Sequence, residues 1–222
     1  MQQTWLQKKN RTSCILFFAG WGMDPEPFLD MAVHDHDLLM VYDYGSLEPW
    51  SFRETVTGEY RRIHLVAWSM GVWAAAYCLT GKHGRLASAT AINGTLRPID
   101  DRCGIDRRDY ARMREGFSRT MLHDFYASIF TDPAERERFL RNRPRRDVTN
   151  IFHELVQIER YYMELKQVPD IFDRRIAGSR DRIFPVRNQV RCWGREQCTV
   201  LKIPHFPFYG WPSWDHFVAG TT

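Results

Sequence analysis

The sequence lacks paired cysteines. Its five, Cys14, Cys78, Cys103, Cys192 and Cys198, are odd in number and contain no C-x-x-C pair. Cys14 and Cys78 lie in apolar runs, which favours reduced buried thiols over disulfides or zinc. No apolar run approaches the length a bilayer span requires. The segment Met1-Gln2-Gln3-Thr4-Trp5 has no signal-peptide apolar region before Lys8-Lys9-Asn10-Arg11, so a cytosolic location and no membrane partner are expected. There is no internal repeat and no low-complexity segment. Lysine is scarce: arginine greatly outnumbers it among 31 basic residues, and the net charge of +4 points to an anionic partner without naming one. No stacking motif or recognition-helix pattern accompanies the charge, so nucleic acid is not expected.

What is present fits one α/β domain. The chain has 222 residues, 44% of them hydrophobic and 14% aromatic, with 8 Trp, enough for a bulky core or a large apolar cavity. Continuous apolar runs at Ser13–Ala19, Leu38–Tyr42, Ile63–Ala67 and Ala87–Ile92 read as strands buried on both faces, and the helices between them predict a mostly parallel sheet. Pro25–Met31 reads as a short helix. From about 101 to 173 the chain becomes charged and helical in period. Tyr110, Met113, Phe117, Met121 and Phe125 recur at three- and four-residue steps as one amphipathic stripe. Asp132-Pro133-Ala134-Glu135 is a helix start, and Thr149–Leu165 is a third helix. Strands resume at Arg175–Gly178 and Thr199–Ile203, with a helical Gln189–Trp193 between them. The helices are therefore expected to be an insertion in a single domain spanning 1–222.

One stretch joins strand, sharp turn and helix: Ile63-His64-Leu65-Val66-Ala67-Trp68-Ser69-Met70-Gly71-Val72-Trp73-Ala74-Ala75. It approximates the G-x-S-x-G nucleophile elbow, with Ala67 in place of the first glycine. Small residues are expected two before and two after the serine because their side chains would crowd each other. A serine is a weak nucleophile and needs a base, a group to orient that base, and donors for the oxyanion. His205, directly after a late strand, is the candidate base; His216 competes from a terminal helical turn, and His64, inside a strand, reads as structural. Asp181, on a loop before a proline-initiated helix, is the candidate acid, with Asp170, Asp173 and Asp100 as alternatives and an ion pair to Arg180 or Arg182 as its other reading. Ser69, Asp181 and His205 each follow a strand's carboxyl end, in the chain order of α/β-hydrolases. The candidate oxyanion donors are the backbone amides of Met70 and Trp21, the latter in Gly20-Trp21-Gly22. No Lys-Ser/Thr pair follows this loop, so a phosphate loop is a poor alternative.

These motifs together resemble the α/β-hydrolase superfamily. More closely, Leu16-Phe17-Phe18-Ala19-Gly20-Trp21-Gly22-Met23 and Val66-Ala67-Trp68-Ser69-Met70-Gly71-Val72-Trp73 resemble the short biotin-pathway carboxylesterases of the BioG type. The chain departs from the wider superfamily at Ala19-Gly20, where His-Gly is frequent, and at Ala67. The resemblance implies a compact α/β-hydrolase fold with a helical lid insertion and hydrolysis of the methyl ester of pimeloyl-acyl-carrier protein. It also implies Ser69, His205 and Asp181 as nucleophile, base and acid, and no metal or organic cofactor.

Arg136-Glu137-Arg138-Phe139-Leu140-Arg141-Asn142-Arg143-Pro144-Arg145-Arg146 carries six arginines. Arginine's planar fork binds carboxylate and phosphate bidentately, so Arg136, Arg138, Arg141 and Arg145 are candidate docking groups for an acidic carrier protein; a solvated helix face is the plainer reading. Phe117, Phe125, Tyr126, Tyr161 and Tyr162 are candidates either to line an acyl channel or to pack helices. Two other functions fit the same residues: an esterase or thioesterase for another acyl group, and a non-catalytic basic binding protein.

Overall fold

The computed structural model describes residues 1–47, 60–165 and 167–218; Lys166, within the expected insertion, lies outside them. Among these residues seven strands form one sheet in the order β1-β3-β2-β4-β5-β6-β7. They are β1 (Gln2–Gln7), β2 (Ser13–Phe18), β3 (Asp37–Tyr42), β4 (Arg62–Trp68), β5 (Leu86–Ile92), β6 (Arg174–Gly178) and β7 (Thr199–Leu201). Strands β2 to β7 pair in parallel. Every residue of β2 and β3 is buried, as continuous apolar runs covered on both faces require.

Strand β1 is antiparallel to β3 and was not legible as a strand. It is a half-exposed edge rich in glutamine, without an apolar run, and is tied down through Gln7, whose side-chain amide donates to the carbonyls of Val33 and His36. Pro25–Met31 contains only a three-residue 3-10 turn, Glu26–Phe28. Helix α1 (Met70–Cys78) follows β4.

Between β5 and β6 the chain forms α2 (Arg107–Glu115), α3 (Arg119–Ser128), α4 (Pro133–Arg141) and α5 (Val148–Glu164). The expectation of three helices is therefore corrected to four. The single stripe from Tyr110 to Phe125 breaks because Gly116 ends α2 and the Ser118 hydroxyl accepts from the Met121 amide to start α3. The predicted cap at Asp132 is present, accepting from Ala134 and Glu135 at 2.8 and 3.0 Å. Helix α6 (Val186–Trp193) lies between β6 and β7.

The aromatic excess fills a core. Phe17 packs on Phe28, Phe208 and Trp214 with ring centroids 4.6–5.4 Å apart, and Trp68 packs on Phe206 and Phe208. These residues hold together β2, β4 and the segment after β7, which places the carboxyl ends of the central strands in rigid surroundings.

Candidate active site

Ser69 is the single residue between β4 and α1, with φ 59° and ψ −128°. A non-glycine residue there is strained, and its neighbours hold it in place. The Ser69 amide donates to the Ile92 carbonyl at 3.0 Å, and its carbonyl accepts from Val72 at 3.1 Å. Two glycines make room. A Cβ on Gly94 would lie 2.3 Å from the Ser69 carbonyl oxygen, and one on Gly71 would lie 2.3 Å from the Phe18 carbonyl oxygen and 2.4 Å from that of Ala19. The glycine at 71 is thus required by the end of β2.

His205 and Asp181 meet Ser69 from the ends of β7 and β6. His205 Nε2 is 3.0 Å from Ser69 Oγ, and His205 Nδ1 is 2.9 Å from Asp181 Oδ2. All three residues are buried. Asp181 is not paired with Arg180 or Arg182. Its Oδ1 accepts the amides of Ile183 and Phe184 at 2.8 and 2.9 Å, and its Oδ2 also accepts from the Gln189 amide group at 3.2 Å. The alternative acids serve elsewhere: Asp170 pairs with Arg175, Asp173 accepts from the Ala89 amide, and Asp100 pairs with Arg97. His216 stacks on Trp211, and His64 hydrogen-bonds Ser88 inside the sheet, where burial first and His36 second lower its pKa to about 4.

Several supports were missed in the sequence. The Asn93 side chain donates to the carbonyls of Pro204 and His205 and accepts from the Gly178 amide at 2.6 Å, joining the ends of β5 and β6 to the histidine loop. Trp68 Nε1 donates to the His205 carbonyl at 2.7 Å, and Phe184 stacks on the imidazole with planes 1° apart. Asn93-Gly94 carried a signal, since it closes a strand; Gln189 and Phe184 carried none.

The loop Gly20-Trp21-Gly22 passes directly against the serine: a Cβ on Gly20 would lie 3.1 Å from Ser69 Cβ. Among the described residues no acceptor is bonded to the backbone amide of Trp21 or of Met70. The Trp21 ring faces Phe125 and Phe117 at 5.0 and 6.3 Å, and Phe117 packs on Phe152. Tyr126 packs on both Phe125 and Phe139, and Tyr162 on Trp73.

The arginines divide. Arg141 and Arg145 line a cavity of about 580 Å³ together with Arg119, His123, Arg143 and Arg146. Arg136 and Arg138 do not line it; Arg138 lies over the Tyr209 ring at 4.0 Å. Arg145 is also paired with Glu26 at 3.1 Å, and Arg141 with Glu137 at 2.7 Å. Ser69 and His205 are not in the cavity wall, but Tyr126 and Ile151 are, and both bond to the Gly20-Trp21-Gly22 loop. Among the described residues no cluster of three or more His, Cys, Asp or Glu could hold a metal, and no helix is long and apolar enough to cross a membrane.

Comparison with known proteins places this geometry. The model of the family described as pimeloyl-ACP methyl esterase BioG matches residues 1–219. The crystal structure of BioG from Haemophilus influenzae superposes with a TM-score of 0.85 at 34% identity, covering 98% of this chain and 99% of that one. A Bacteroides fragilis protein named malonyl-[acyl-carrier protein] O-methyltransferase is 38% identical over 192 residues; the match takes in 86% of this chain but spans only 38% of that protein's length. A lipase-esterase related protein from Clostridium acetobutylicum shares the α/β-hydrolase fold, with a TM-score of 0.64 at 14% identity and 92% of each chain covered. The family match over nearly every residue, with the fold it implies, makes this chain a member of the BioG family of pimeloyl-ACP methyl esterases.

Proposed function

We propose that this protein hydrolyses the methyl ester of pimeloyl-acyl-carrier protein through a Ser69-His205-Asp181 triad and an acyl-enzyme. The observation that carries the reading is the buried, continuous hydrogen-bonded chain from Asp181 through His205 to Ser69, at 2.9 and 3.0 Å. Ser69 Oγ bonds to the ester carbonyl carbon while its proton passes to His205 Nε2. Asp181 holds the imidazole with Nδ1–H toward it and stabilises the cation that forms. The oxyanion is received by the amides of Met70 and Trp21. Collapse breaks the bond to methoxide, which takes the proton from His205 and leaves as methanol. Water then adds to the acyl-serine, giving its proton to His205, and the second collapse returns that proton to Ser69 and frees the acid. None of these steps calls on a metal or an organic cofactor.

Helices α2 to α5 are read as a lid, and its arginine-lined cavity as the docking place of the acidic carrier and its phosphate. Arg141 and Arg145 stay in this role with Arg119 and Arg143 added; Arg136 and Arg138 are set outside it. The aromatic wall of Trp21, Phe117, Phe125 and Phe152 beside the oxyanion loop suits an apolar acyl chain. The Bacteroides relative's name concerns methylation of an acyl group on a carrier protein, which is consistent with a methyl ester as the substrate of its matching segment.

The test is a side-by-side rate comparison of pimeloyl-carrier methyl ester, the same carrier bearing an unesterified acyl thioester, and a short free methyl ester, with labelling by a fluorophosphonate probe. The expected result is labelling of Ser69 and fastest hydrolysis of the carrier-bound methyl ester. Faster cleavage of the thioester would make the protein a thioesterase, and no labelling would make it a non-catalytic binder.

A further inference from the structure

The loop bearing Trp21 is gripped from the helical insertion. The Gly22 amide donates to Glu154 Oε2 at 3.1 Å, the Gly22 carbonyl accepts from the Tyr126 hydroxyl at 2.7 Å, and Trp21 Nε1 donates to the Ile151 carbonyl at 2.9 Å. Arg146 Nη1 donates to the Met23 carbonyl at 3.1 Å and to Glu154 Oε2 at 2.7 Å. Glu154 Oε1 accepts from the Tyr44 amide at 3.0 Å, and the Tyr44 hydroxyl donates to Ala19 at the start of the loop. Glu154 is fully buried on α5, and Arg146 bridges it to Asp43 at 2.9 Å.

A buried ion pair adds little to stability against an apolar replacement, which leaves room for another role. Here that role is in the bonding pattern. Among the described residues, every group hydrogen-bonded to the Glu154 carboxylate is a donor: two backbone amides and a guanidinium. The bond to the Gly22 amide fixes the peptide plane between Trp21 and Gly22, and the indole bond fixes the Trp21 side chain. Together they hold the Cα, Cβ and carbonyl of Trp21 and so restrain the peptide that carries its amide.

We propose that Glu154, held ionised by Arg146, is the positioning residue of the oxyanion loop, so that the helical insertion sets the hole's geometry; this rests on Ser69 as nucleophile and Trp21 as donor. Burial raises the Glu154 pKa and Arg146 opposes the rise. Asp43 shares Arg146 with Glu154, and the hydroxyls of Tyr44, Tyr110 and Tyr126 are each raised above the usual tyrosine range by burial first, so none of these hydroxyls ionises near neutrality.

The test uses the full chain, a short p-nitrophenyl ester and an octyl trifluoromethyl ketone. The ketone's carbonyl carbon bonds to Ser69 Oγ, its oxygen becomes the oxyanion, and the serine proton goes to His205; its affinity therefore reports the hole. In Glu154→Gln the amide must turn its NH2 toward one of three donors. We expect kcat to fall and the ketone's Ki to rise together by about tenfold to a hundredfold, with KM within about twofold. The base role of His205 already gives kcat an acid limb, and in Arg146→Met that limb is expected to move to higher pH, because the Glu154 carboxyl loses the charge that opposes its burial. A folded Glu154→Gln with unchanged Ki overturns the proposal. Should that variant not fold, an acid limb in Arg146→Met unmoved from that of the wild type overturns it. A wild type that the ketone does not inhibit would instead remove the triad reading on which the inference rests.

Discussion

Ser69 is one of four non-glycine residues with positive φ among the described residues. Its φ of 59° places the hydroxyl toward His205, and the carbonyls and amides of β5 and α1 hold it there. Strain of this kind costs about 1–3 kcal/mol. Ser69→Ala and Ser69→Gly both remove the hydroxyl, but only glycine adopts the backbone without strain. Urea unfolding is expected to find Ser69→Gly more stable than Ser69→Ala by about 1 kcal/mol, glycine's larger chain entropy offsetting part of the relief. Equal stabilities would mean that the serine's backbone is unstrained. At this scale the triad candidates were legible because each follows a strand end in a known order. Asn93, Gln189 and Glu154 were not, because a polar side chain whose partner lies outside its own helix or strand leaves no local pattern. Gln189 reaches Asp181 across one turn and a loop, and Glu154 reaches Gly22 across 132 positions.

The strands show the same division. Runs such as Cys14–Phe18 were readable because both faces are buried, whereas β1 pairs along one edge and has no apolar signature. The stripe through Phe117 kept helical spacing across a break, because Gly116 and Ser118 turn the chain without interrupting the apolar positions. The junction of β4 and β5 carries a pH dependence. His64 sits against Ser88 with its pKa lowered to about 4 from 6.5, so the unfolded chain binds a proton more readily than the folded one between these values. Its contribution to stability is complete above about pH 6.5 and is lost as pH falls toward about 4. Unfolding measured across this window is expected to lose about 1–2 kcal/mol, a figure reduced for solvent screening, and His64→Gln is expected to flatten that slope. An unchanged slope in the variant would assign the dependence to other groups.

For the whole molecule, composition pointed to an anionic partner without naming one, but only folding separates the arginines. Arg119 comes from α3 and Arg143 and Arg145 from the turn after α4, and they converge on one cavity although their spacing shows no shared face. Glu26 and Glu137 offset part of this charge. Reversing two charges with Arg119→Glu and Arg143→Glu is expected to raise KM for the carrier-bound ester at least about tenfold more than for a short p-nitrophenyl ester, and salt should imitate the effect. Equal changes in the two KM values would remove the cavity from carrier recognition.

The central claim, that Ser69 attacks a methyl ester on a carrier-bound acyl chain, is tested most directly by measuring methanol release from pimeloyl-carrier methyl ester by the wild type and by Ser69→Ala. The account predicts stoichiometric methanol from the wild type and a fall in kcat of roughly 10⁴-fold or more in the folded variant. Full turnover by Ser69→Ala would contradict it.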